Sequence, residues 1–123
     1  MANEPQGVMK LPTTFEALVD QADKLHLYKN LVRQLNKDCL LANIDQDFDE
    51  DFAPSDLIVS LQEIVYHLIQ EKFTEYLNFL YIVDVAEEKI KQLDGSEVLN
   101  LFEQVAFLIL LREWQKVWCR NYY

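Results

Sequence analysis

Asp45, Asp47 and Asp49 alternate in the stretch NIDQDFDEDFA, and Asp56 falls at the twelfth position counted from Asp45. This is the spacing at which an EF-hand-type loop presents oxygen ligands to calcium, at positions 1, 3, 5 and 12 with a turn-making glycine at 6. Here position 6 is Glu50, position 10 is Pro54, and position 12 is an aspartate in place of the longer glutamate. Those departures remove the sharp turn and the bidentate ligand. The expectation is a solvated acidic connector rather than a calcium site.

Other chemistry finds less support. His26 and His67 are the only histidines, they sit in different helical patterns, and no Glu-x-x-His pair exists to build a di-iron centre. Glu63 and His67, four apart, read as a contact within one helix. Structural zinc would need clustered Cys and His. Cys39 and Cys119 lie 80 positions apart within helical patterns, which reads as two reduced, mostly buried thiols. With only Gly7 and Gly95 no glycine-rich phosphate loop can form. No cofactor or catalytic constellation emerges, so an enzyme ranks as the third reading.

Two basic rows are the next pattern. Lys29, Arg33 and Lys37 recur every four residues, and Arg112, Lys116 and Arg120 do the same near the end of the chain. Their functional reading is an anion- or nucleic-acid-binding strip. Their bland reading is pairing with the acidic loop and with helix C-termini. The formal charge of −10 favours the bland one, since such a field repels nucleic acid and anionic membranes. Finally, Phe107, Leu111, Trp114 and Trp118 form an apolar stripe nearly opposite that of Val98, Phe102, Val105 and Ile109. A helix apolar on two sides is either central or in contact with another chain. Core placement is the default, and a partner interface on Trp114 and Trp118 is the alternative.

Helices must position all of these groups. Half of the 123 residues are apolar, while glycines number two and prolines three, too few turn residues for a sandwich or an α/β fold. The expected fold is therefore an all-α, single-domain bundle of four to five helices over 13–123, after a polar lead-in at 1–12. Thr13 and Glu16 form a capping box that starts the first helix, which kinks or breaks near Asp23–Leu27. Three long segments, about 27–43, 55–81 and 96–121, enclose the core, with the acidic loop at 44–54. Ser55 is the expected N-cap of the second. Asp84 and Glu87 form a box that starts a short helix from Val85 to Leu93, which Gly95 ends, and Ser96 caps the last.

Leu80-Tyr81-Ile82-Val83-Asp84-Val85-Ala86-Glu87-Glu88-Lys89 and Leu108-Ile109-Leu110-Leu111-Arg112-Glu113-Trp114-Gln115-Lys116 resemble segments of small uncharacterised all-helical bacterial proteins. The resemblance implies a bacterial, cytosolic protein and brings no activity with it. No apolar leader or run of about 18 apolar residues is present, which points to a cytoplasmic chain that does not enter the membrane. The expected role is a helical protein–protein interaction or adaptor module. Its expected partner is itself or another protein, met through the last helix.

Overall fold

The computed structural model describes residues 10–93 and 98–122. Among them lie six helices and no strand: α1 (Phe15–Lys24), α2 (Tyr28–Leu41), α3 (Pro54–Glu71), α4 (Phe73–Val83), α5 (Glu87–Lys91) and α6 (Val98–Tyr122). The all-α expectation holds, with one helix more than foreseen because the segment expected from 55 to 81 is broken. α6 is the axis, packing against α1, α2, α3 and α4. One cluster of buried side chains draws on α1, α2, α3, α4, α6 and the loop before α3. Leu18, Leu31, Leu35, Leu57, Leu61 and Leu110 are fully buried in it, each stabilising by roughly 1.5–3 kcal/mol relative to exposure.

A chain this poor in glycine ends its helices by another device. His26, Asn43 and Asp84 take left-handed φ values of 58°, 62° and 74°. In each case the next N–H reaches back five residues: Leu27 to Ala22 at 2.8 Å, Ile44 to Cys39 at 2.8 Å and Val85 to Leu80 at 3.0 Å. These bonds satisfy carbonyls that the helix ends would orphan. His26 therefore separates α1 from α2 outright, deciding the expected kink in favour of two helices. Because a Cβ in this conformation costs roughly 1–2 kcal/mol, partly offset by glycine's greater freedom when unfolded, His26→Gly should stabilise the fold by about 0.5–1 kcal/mol. His26→Val should destabilise it. Urea midpoints of the two variants check the sign.

The boundaries differ from expectation in three places. The first cap is Thr14, whose hydroxyl accepts from Ala17 N–H, one residue after Thr13. Pro54 opens α3 with Ala53 before it, so Ser55 lies inside the helix, and Pro54 takes the place where a missing N–H costs nothing. The segment foreseen as one helix to Tyr81 breaks at Lys72 (φ −145°, ψ 62°). Unbroken, 54–83 would extend about 45 Å and carry its end off the bundle. The bend instead brings Tyr76, Phe79, Leu80 and Val83 into the core. Asp84 ends α4 rather than starting α5, and α5 is shorter than expected and contributes no buried residue. Gly95 and Ser96 lie outside the described residues.

Candidate functional site

The acidic loop is tied down from below. Phe48 is buried and Phe52 packs against the core, their rings 5.6 Å apart. The Asn36 amide acts as a strand would: its Nδ2 donates to the Phe48 carbonyl and its Oδ1 accepts from Phe48 N–H, both at 2.8 Å. Tyr28 Oη donates to the Phe52 carbonyl. Burial, with the nearby Asp23 charge adding, pushes the Tyr28 phenol up to about 12. The loop's acids consequently face outward. Asp45, Asp47, Asp49 and Asp56 are all exposed, and Asp49 Oδ1 accepts from Asp51 N–H at 2.8 Å. No group of three or more His, Cys, Asp or Glu among the described residues is arranged to hold a metal ion.

Four of the six row cations are engaged with acids. Lys29 lies 3.5 Å from Asp51, and Arg33 forks onto both Glu50 oxygens, holding that carboxyl below its usual range through the hydrogen bond first. Arg112 fastens α6 to the end of α4. Its Nε donates to the Asp84 carbonyl at 3.0 Å and its second arm to Asp84 Oδ2 at 2.9 Å, which lowers the Asp84 pKa. Lys116 turns inward. Lys37 and Arg120 are exposed and make no ion pair among the described residues.

The aromatic stripe is placed differently from the interface reading. Trp114 is 0% exposed and Trp118 3%, while Phe107 and Leu111 are partly buried against the same core. The Trp114 indole N–H donates to Gln21 Oε1 at 3.0 Å, fastening α6 to α1. Neither tryptophan offers surface to a partner, because both face this chain's own core. Burial follows one continuous stripe, Phe102, Val105, Ala106, Ile109, Leu110, Glu113, Trp114, Val117 and Trp118, with no change of face along the helix.

That stripe runs through a glutamate, which sequence reasoning missed. Glu113 on α6 is 0% exposed, and opposite it on α2 lie Asp38 at 3% and Gln34 at 5%. Lys116 Nζ donates to Asp38 Oδ2 at 2.6 Å, and Gln34 Nε2 donates to Asp38 Oδ1 at 3.3 Å. Glu113 Oε1 is also 3.0 Å from Lys116 Nζ. That contact is close enough for Coulomb attraction but off-axis, since neither Glu113 oxygen accepts an aligned hydrogen bond, nor does Gln34 Oε1. The cluster holds more acceptors than donors. A protonated Glu113 supplies the missing donor, directed to Asp38.

The electrostatics agree. Burial above all, then the hydrogen bond to Asp38 and the Asp38 charge, push the Glu113 carboxyl up to about 9 against the opposing pull of Lys116. Cys39, next to Asp38 and fully buried, is pushed up to about 12, by burial first and then by the Glu113 and Asp38 carboxyls. It is a thiol with no access to solvent, and neither it nor Cys119 is in a disulfide. The seam between α2 and α6 thus has a neutral acid, an ion pair and an inert thiol on the inside. Above it, a small cleft is lined by Asn30, Arg33, Gln34, Lys37, Val117, Arg120 and Asn121. The buried cluster fastens α2 to α6. Comparison with known protein families, curated proteins and solved structures finds no match to this chain.

Proposed function

We propose that this chain is a small cytosolic helical interaction module that pairs with a second copy of itself, through α4 rather than the last helix. One observation carries the reading: Phe73, Leu77 and Tyr81, spaced by four along α4, are 55%, 51% and 83% exposed. Spacing by four lays them in one stripe, and singly scattered apolar residues would need no such explanation. The stripe is balanced about Leu77, so a two-fold axis there sets each Phe73 against the other copy's Tyr81, as an isologous contact requires.

Charge favours a like partner at this place. In a chain of net charge −10, two copies repel each other over most of their surfaces. Glu75 is the one charged residue within α4, and Lys72 stands 3.7 Å from it, leaving the face neutral. The area sets the strength. Two aromatics and a leucine offer on the order of 300–400 Å² per copy, below the roughly 800 Å² per partner of a standard stable interface. The pairing is therefore weak and concentration-dependent, as suits an exchanging adaptor. The free thiols accord with a reducing compartment, and among the described residues no helix is long and apolar enough to cross a membrane.

Sedimentation velocity across a concentration series tests the pairing. The expected result is a rising weight-average mass for the native chain, and a strict monomer of unchanged melting temperature for Leu77→Asp. A native chain that stays monomeric to millimolar concentration, or a variant that associates equally, would overturn the reading.

A further inference from the structure

The cleft above the α2–α6 seam is unusual for this chain. Acids outnumber bases 21 to 11, yet among the described residues the cleft's lining has three cationic side chains, three amides, one valine and no carboxylate. The larger hollow beside it, which also includes Arg33 and Lys37, is faced on its other side by Asp45, Asp47 and Glu50. The hollow next to α4 carries Asp45, Glu63 and Glu75. Arg33 at the cleft rim is already neutralised by Glu50. Lys37 from α2 and Arg120 from the last turn of α6 make no ion pair among the described residues. Like charges brought to one cleft without counter-charge repel each other, and a bound anion relieves that cost.

We infer that the cleft formed by Lys37, Arg120 and the Arg33 rim binds a single phosphate-sized oxyanion. Lys37 and Arg120 supply the charge, Arg120 through a planar fork suited to phosphate oxygens. Asn30 and Asn121 stand beside them with amide donors available, although Asn121 Nδ2 already donates to the Val117 carbonyl at 2.8 Å. The cleft's size suits a small group. Its volume of about 150 Å³ holds about five water molecules, enough for a phosphate group and well below the roughly 300–1,000 Å³ of a site that engulfs a whole cofactor. Distant acids do not prevent entry at physiological salt, where charges farther than about 8 Å are largely screened.

This site is independent of the α4 pairing, and so is its test. Inorganic phosphate, and separately O-phosphoserine, are titrated into the full-length isotope-labelled chain, with chloride keeping the ionic strength constant. Amide shifts are followed at Asn30, Lys37, Val117 and Arg120. The expected result is saturable binding in the millimolar range, weakened at least tenfold in Lys37→Gln/Arg120→Gln and unchanged in Leu77→Asp. Both substituted side chains are exposed, and an unaltered melting temperature shows that the double variant folds. Phosphoserine binding as tightly as phosphate identifies an esterified phosphate as the ligand, and phosphate alone binding identifies the free anion. Shifts that do not saturate, that chloride reproduces, or that persist in the double variant would overturn the site.

Discussion

Glu113→Gln is expected to remove most of the alkaline sensitivity of this fold. The unfolded chain gives up the Glu113 proton near the ordinary value of 4.5, whereas the native chain keeps it until about 9. Between those values the native state binds more protons, so every rise in pH favours unfolding. Stability from this position is fully present below about 4.5 and is lost progressively up to about 9, at a limiting slope of about 1.4 kcal/mol per pH unit. An amide has the same shape, can donate to Asp38 as the acid does, and has no proton to release in this range. The E113Q chain should match the native one near pH 4.5 and exceed it by several kcal/mol near pH 9, at most about 6 kcal/mol if that slope holds over the whole window. Urea unfolding at four pH values between these limits measures the gap. Parallel curves would mean that Glu113 is ionised in the native state.

The same residue shows what a sequence makes visible. Glu113 lies three positions after Leu110, four after Ile109 and four before Val117, in phase with a buried stripe. Asp38 stands likewise three after Leu35 and seven after Leu31. An acid in phase with core positions is a signal the sequence carries, set against the cost of an isolated buried carboxylate. Their partnership was not legible, since Asp38 and Lys116 are 78 residues apart. Phe48 and Phe52 were hidden by their acidic neighbours, whose composition reads as solvated loop although the two rings anchor it. The break at Lys72 had neither glycine nor proline to announce it, because tertiary packing bends the chain there. Periodicity correctly grouped Trp114 with Trp118. Which neighbour covers a shared face is set by the other helices, and here the cover is this chain's own core.

Lys116→Met should cost about 3–5 kcal/mol at pH 7.5, among the largest effects of any single change in this seam. The substitution keeps the length and apolar stem of the side chain, so packing changes little. It removes the cation from a pair in which the Asp38 side chain is 4% exposed and the Lys116 side chain 19%. What is left is a buried carboxylate without its counter-cation, held only by neutral donors such as Gln34 at 3.3 Å, and breaking a buried pair on one side carries a penalty of this size. Asp38→Asn should recover most of it. The asparagine oxygen still accepts from Gln34, and no net charge is left inside. In the double variant the seam therefore regains stability although both charges are gone, as expected where desolvation outweighs attraction. A double-mutant cycle in urea, with Asp38→Asn alone as the fourth corner, isolates the coupling. A loss below 1 kcal/mol, or a double variant as unstable as K116M, would mean that Asp38 is solvated and that the seam is held by its apolar neighbours alone.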